Sequence, residues 1–237
     1  MIQFYSPDIE TTLELPESES SHCCRVLRMK IGDEIFVTDG KGHRFKCVIE
    51  KADPKKTFLS ILEKHEEPII RNYKITLAVA PTKNPDRLEW MVEKVVELGI
   101  DEIVLLKCDR SERKFQKGER LRKVIVSAMK QSLDTRMPEL YEMLDFEKFI
   151  KNVSESSQKF FGYCSEHFPR KNFSKEIIPG KDIIIMIGPE GDFSEREVEM
   201  AVSNNFMPVT FGEKRLRTET AGVYAVCATE SINQRLK

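Results

Sequence analysis

The sequence predicts an α/β domain on a mostly parallel sheet, preceded by a small β-barrel. Three observations support this. Before residue ~65 the apolar residues come in short strand-sized pieces. After residue 70 the pattern becomes strand then helix, repeatedly, which calls for a parallel sheet covered by helices. Between the two lies Glu63-Lys64-His65-Glu66-Glu67-Pro68, charged and aperiodic, which reads as a linker with a boundary near residue 70.

In the first part, Glu34–Thr38 is a strand candidate. Asp39-Gly40-Lys41-Gly42 is a turn, since Asp and Gly tolerate positive φ. Arg44–Glu50 and Thr57–Leu62 complete a set of short strands with a hairpin, the pattern of a small barrel. In the second part, Lys74–Ala80 is a buried-type strand. Asn84 caps a helix that starts at Pro85, where the missing N–H costs nothing. Leu88, Met91, Val92, Val95 and Leu98 recur at helical spacing, and Gly99 closes the helix. Glu102–Leu106 is the next strand, and Leu121, Val124, Ile125 and Ala128 mark a second helix. Phe160–Tyr163, Asp182–Ile187 and Pro208–Phe211 are further strands. Sheets of this kind hold their ligands at the carboxyl ends of the strands.

Composition narrows the function. The 237 residues carry 40% hydrophobic and 32% charged side chains and a net charge of -1. A packed core is expected, and any affinity for nucleic acid must come from local basic clusters. No apolar run approaches the roughly 20 residues that span a bilayer, and no signal peptide is evident at MIQFYSPDIE. The cysteines at 23, 24, 47, 108, 164 and 227 have no C-x-x-C spacing, and His22, His43, His65 and His167 are scattered. Reduced thiols in a cytoplasmic protein and no metal site are expected.

Two segments carry chemistry. Ile183–Ile187 runs into Gly188-Pro189-Glu190-Gly191-Asp192-Phe193-Ser194, and Ser194 with Glu197 forms a capping box before Val198, Ala201 and Val202. The glycines allow close backbone approach, and N–H groups at the helix start can meet polar or anionic groups. An ordinary strand-to-helix turn would read the same. Val209-Thr210-Phe211-Gly212-Glu213-Lys214-Arg215-Leu216-Arg217-Thr218-Glu219-Thr220-Ala221 repeats the arrangement before a helix with small residues Ala221, Gly222, Ala225, Val226 and Ala228 on one side. By itself it fits a packed C-terminal helix behind a solvated charge cluster.

Together and in this order, "IGPEGDFSEREVEMA" and "FGEKRLRTETAG" resemble the paired signature of the SPOUT superfamily, and within it the RsmE-type 16S ribosomal RNA uridine N3-methyltransferases. "EKVVELGIDEIVLL" at 93–106, "AMKQSLDTRMPEL" at 128–140 and "RVLRMKIGDEIFVTDGKG" at 25–42 resemble that family's other motifs, so the likeness spans nearly the whole chain. The chain departs from the pattern at Asp192, where a second Gly is usual, at Gly212-Glu213-Lys214, where Gly-Pro-Arg is usual, and at Gln3, where Arg is common.

The resemblance implies a PUA-like barrel over 1–70 and a SPOUT domain over 71–237 with a C-terminal trefoil knot, working as a homodimer on 16S rRNA or the small ribosomal subunit. It implies S-adenosylmethionine held by loops 80–85, 187–193 and 211–218, through Thr82, Ile187, Gly188, Pro189, Glu190, Gly191, Phe211, Gly212, Leu216, Thr218 and Ala221. Arg217 is the candidate cation beside the uridine oxygens, with a phosphate contact or intersubunit ion pair as the other reading. Glu219 is the candidate proton acceptor, or else a carboxylate favoured by the helix dipole. RNA phosphates would meet Arg25, Arg28, Lys41, Arg44 and Lys46 on the barrel, and Lys117, Arg120, Arg122, Lys123 and Lys130 around the second helix. The competing functions are another SPOUT activity, on transfer RNA or a ribose hydroxyl, and a non-catalytic RNA-binding assembly factor.

Overall fold

Short apolar runs at the start of the chain become a four-stranded sheet in the computed structural model, which describes residues 2–69, 71–114, 118–165 and 168–234. Lys117 lies outside the described residues. Contacts divide the chain into two compact units, Met1–Ile70 with Val126–Met137, and Arg71–Ile125 with Pro138–Lys237.

The first unit runs β1 (Gln3–Tyr5), the helical turns α1 (Ile9–Thr12) and α2 (Glu17–Ser21), a π-turn at His22–Val26, then β2 (Glu34–Thr38), β3 (His43–Lys51) and β4 (Phe58–Glu66). The sheet order is β1-β2-β3-β4, with β1 parallel to β2 and the other pairs antiparallel. The β2–β3 turn needs the left-handed backbone of Gly40 (φ 74°) and Gly42 (φ 104°). Along β3, Phe45, Cys47 and Ile49 are buried between less buried neighbours, the period-2 signature of a half-covered strand. They join Phe4, Ile9, Leu15, Val37 and Leu59 in one core. The N-terminal segment meets both sheet edges: β1 covers β2, while the Leu59 N–H donates to Leu13 and the Leu15 N–H to Thr57.

The expected linker at Glu63–Pro68 is corrected in part, because β4 continues to Glu66. His43, Arg44, Phe45 and Lys46 pair with Glu66, His65, Lys64 and Glu63. Backbone pairing does not require apolar side chains, and these residues are solvent-exposed, so hydropathy hid the strand. Val126–Met137, which the sequence had placed with the second domain, joins the first unit through the Gly42 N–H on Thr135 and the Met137 N–H on Gly40.

The second unit contains β5 (Ile75–Val79), α3 (Pro85–Glu97), β6 (Glu102–Lys107), the start of α4 (Gly118–Gln131), β7 (Glu139–Asp145), α5 (Phe146–Asn152), β8 (Gln158–Gly162), β9 (Lys171–Asn172), α6 (Phe173–Glu176), β10 (Ile183–Ile187), α7 (Glu195–Ser203), β11 (Met207–Thr210) and α8 (Thr218–Gln234). Its seven strands are all parallel, in the order β7-β6-β5-β10-β8-β11-β9. Central strands β5 and β10 are buried along their full length, as sheets covered on both faces require. Asn84 caps α3 by accepting the Asp86 N–H, and Gly99 (φ 87°) follows the end of the helix. On α8 a Cβ at Gly222 would stand 2.6 Å from the Met91 sulfur and 3.4 Å from Leu77, so this glycine lets α8 lie close on α3 and β5. Strands β1, β7 and β9 and the short helices were not expected. Val202, expected on the buried face of α7, is 39% exposed.

Candidate active site

The carboxyl ends of β8, β10 and β11 are adjacent in the sheet, and the loops leaving them enclose a cavity of about 570 Å³. The loop after β10 is short and heavily tied. Asp192 takes the left-handed conformation (φ 63°) that the usual glycine would supply, which Asp tolerates better than most residues. Its carboxylate accepts the Cys164 N–H at 3.0 Å and the Phe193 N–H at 2.9 Å, so this departure from the family pattern fastens the loop to the end of β8. The Arg110 guanidinium donates to the Gly191 and Phe193 carbonyls, and Glu190 accepts the Lys83 N–H. Ser194 and Glu197 form the full capping box of α7, and the fully buried Glu197 also accepts the Asp109 N–H at 2.8 Å.

The loop after β11 turns at Gly212 (φ 135°), which faces open space. The two loops are joined directly. The Thr218 hydroxyl donates to the Gly188 carbonyl at 3.1 Å, and the Arg215 guanidinium to the Glu190 carbonyl at 3.4 Å.

Ile187, Gly188, Pro189, Glu190, Phe211, Gly212, Leu216, Thr218 and Ala221 line this cavity, and so do Arg217 and Glu219. Thr82 and Gly191 do not. Thr82 is fully buried with its hydroxyl on the Asn84 carbonyl, and Gly191 faces Arg110. Loop 80–85 therefore supports the site from behind, through Lys83 and Glu190, instead of forming its wall. Arg217 is exposed, and among the described residues its guanidinium has no hydrogen-bond or ion-pair partner. Glu219 is 7% exposed, in the first turn of α8, with Oε1 3.7 Å from Arg87 Nε.

Sequence reasoning missed Arg87, Gly162, Tyr163, Cys164 and Arg170, whereas Asp192, expected near the cofactor loops, does line the cavity. The strand-end rule could have found 162–164, had β8 been known to lie between β10 and β11. At Gly162 a Cβ would stand 2.6 Å from the Phe211 ring, so the bare backbone makes room for that ring. Phe211 is held between Phe173 and Tyr224 at centroid distances of 5.2 and 5.7 Å. The Cys164 thiol is raised above its ordinary value by desolvation and by the Asp192 charge.

The candidate RNA contacts divide by environment. Arg25 and Arg28 are exposed with no ion pair among the described residues. Lys41 is exposed, with Nζ on the Pro7 carbonyl. Arg44 is half-buried, bonded to Gln3, the Leu133 carbonyl and Glu67. Lys46 pairs with Glu34, Arg120 with Glu89 and Lys123 with Glu119. Gln3 is 4% exposed and donates to the Asp134 carbonyl, so that departure from the pattern is an interior contact. Among the described residues no three His, Cys, Asp or Glu side chains are grouped to hold a metal, and no helix is long and apolar enough to cross a membrane.

Comparison with known proteins agrees with this geometry. A family described as RNA methyltransferase domain matches residues 70–230, and one described as RNA methyltransferase PUA domain matches 15–62. The ribosomal RNA small subunit methyltransferase E of Bacillus subtilis is 27% identical over 95% of this chain and 92% of its own. A probable rRNA-methyltransferase from Porphyromonas gingivalis superposes with a TM-score of 0.94 at 40% identity, over 100% of both chains. The small subunit methyltransferase E of Neisseria gonorrhoeae, solved bound to S-adenosyl methionine, gives 0.85 at 25% identity over 98% of this chain and 97% of that one. With strand order, loop pair and relatives in accord over nearly its full length, this chain belongs to the RsmE-type RNA methyltransferase family.

Proposed function

We propose that this chain methylates N3 of a specific uridine in the 16S rRNA of the small ribosomal subunit, using S-adenosylmethionine, in the cytoplasm. The observation that carries the reading is the direct tie between the loops after β10 and β11, Thr218 to Gly188, around one cavity that also receives Arg217 and Glu219. The residues present fit the cofactor. The cavity volume lies within the roughly 300–1,000 Å³ of small-molecule sites. Gly188 and Gly212 both line the wall, Gly212 with open space where a Cβ would stand, and Leu216 and Phe211 supply apolar surface. S-adenosylmethionine supplies the electrophilic methyl group.

The chain's own part is positioning and charge. Holding nucleophile and methyl in line replaces a bimolecular encounter, so no metal is needed. Uridine N3 attacks as its anion, and Arg217, exposed at the wall and without a side-chain partner among the described residues, can face the base oxygens that share its charge. Glu219, sheltered beside it in sequence, is the group to take the N3 proton. The uridine must leave its stack to reach this depth. Arg25, Arg28 and Lys41 are the cations most available to RNA phosphates.

The same reading includes a first domain ending near residue 70, a trefoil knot in the second, and a homodimer. The knot is supported by β10 lying between β5 and β8, and by α8 returning over β5 and β10. Trp90 on α3 (45% exposed) and Tyr224 on α8 (39%) offer apolar surface to a second copy.

Mass spectrometry of rRNA from a deletion strain tests the function. Loss of one 3-methyluridine is expected. Loss of a ribose methyl in its place would assign another SPOUT activity. Failure of the purified chain to bind S-adenosylmethionine in calorimetry would leave a non-catalytic assembly factor.

A further inference from the structure

We infer that Arg87 is a second cation for the reacting base, facing it together with Arg217 and selecting uridine; the inference rests on the proposed function. Arg87 lies in the first turn of α3, outside both signature loops, yet it lines the same cavity as Arg217 and Glu219. Its side chain is 42% exposed, so its head is available to the cavity, while that of Glu219 is only 10% exposed. The 3.7 Å ion pair between them holds Arg87 at the wall from an anchor fixed on α8.

The chemistry of the base asks for two such groups. When N3 of uridine loses its proton, the negative charge spreads over N3, O2 and O4. One cation can face only one side of that system. Donors on both sides stabilise the anion more, and guanidinium groups only donate hydrogen bonds. Cytidine presents an amino group where uridine has O4, so a donor-only wall opposes it with an unpaired N–H. In the reaction the N3 proton passes to the Glu219 carboxylate, the N3 pair forms the bond to the methyl carbon, and the carbon–sulfur bond breaks with its pair kept on sulfur. Arg87 and Arg217 act on the first of these events, by lowering the cost of the anion.

The test uses the full chain, R87M and R87K variants, and small subunits from a strain lacking the modification, grown with or without 5-fluorouracil. Fluorine at C5 makes N3 more acidic and so relieves the need for a stabilising cation. R87M is expected to lower kcat by about 10²–10³-fold on ordinary subunits. The deficit should shrink by roughly tenfold or more on fluorinated subunits, and likewise as the pH is raised from about 7 to 9. R87K, which keeps the charge, should recover part of the rate, and calorimetry should show unchanged S-adenosylmethionine affinity in both variants. A deficit equal on both substrates and flat with pH would overturn the inference, as would a tenfold loss of cofactor affinity. Mapping the wild-type product separates the levels. An N3 product with an insensitive R87M overturns this inference alone, and a methyl group placed elsewhere overturns the function beneath it.

Discussion

Replacing Gly162 by alanine should damage the site through a neighbour, because the position is fixed by space and not by backbone conformation. Gly162 sits on β8 opposite Ile187 of β10 and Val209 of β11, in the interior of the sheet. An added Cβ would stand 2.6 Å from Phe211 Cε2, so the ring must retreat by about 0.8 Å to reach the 3.4 Å of ordinary contact. Phe173 and Tyr224 hold the ring edge-on from two sides, and each aromatic pair is worth ~0.5–1.5 kcal/mol. Overpacking costs ~1–3 kcal/mol, while alanine returns ~0.5–1 kcal/mol of strand preference over glycine. A net loss of about 1 kcal/mol is expected, or a Tm lower by roughly 2–4 °C for a chain of this size. Because Phe211 is part of the cavity wall, S-adenosylmethionine affinity should fall by about tenfold, the equivalent of ~1.4 kcal/mol. Thermal unfolding and calorimetry read both effects. The double variant G162A/F211L provides the internal control, since a smaller side chain relieves the overlap. It should be more stable than the sum of the two single effects by at least ~0.5 kcal/mol. A G162A protein with wild-type Tm and affinity, or a strictly additive double variant, would refute the steric argument.

Other substitutions separate further claims. Asp192→Ala should cost ~1–2 kcal/mol in urea unfolding, because alanine at φ 63° is strained and the tie to Cys164 is lost, whereas Asp192→Gly keeps the backbone relaxed and should cost less; equal stability of the two variants would count against this. Arg44→Ala should destabilise the chain by ~1–3 kcal/mol by leaving Gln3 and the Leu133 carbonyl without their partner. Arg25→Ala should leave stability alone and instead weaken small-subunit RNA binding and flatten its salt dependence by a slope of about 1, and a reversed pattern would exchange their roles. Asp109 is held below the usual carboxylate range by bonds from Arg196 and Ser194, so its contribution is present above the unfolded value and lost as pH falls through the folded one. Denaturation midpoints below about pH 5 should therefore fall less steeply for Asp109→Asn than for wild type; parallel curves there would contradict the assignment.

What the sequence made legible was whatever leaves a periodic or punctuating mark. Asn84-Pro85 and Ser194 with Glu197 announce helix starts, and the structure has both caps. Glu34–Thr38 reads as a strand to the residue. The end of β4 was invisible because Glu63–Glu66 pair through backbone while their side chains face water. β9 is two residues long, too short for any periodicity to register. At the site, the two loops were legible because glycine and capping residues mark them. Arg87, Gly162 and Arg170 were not, since a lone Arg or Gly acquires meaning only when the sheet order brings β8 between β10 and β11. Arg44 shows what charge leaves unread in a sequence: expected at RNA phosphates, its half-buried guanidinium is also tied to Gln3, the Leu133 carbonyl and Glu67.

The N3 assignment is tested most directly by giving the purified chain and labelled S-adenosylmethionine to unmodified small subunits, then locating the label by nuclease digestion and mass spectrometry. It predicts a single labelled uridine carrying the methyl group on N3 of the base. Label on a ribose, on a different base, or on nothing at all would contradict it.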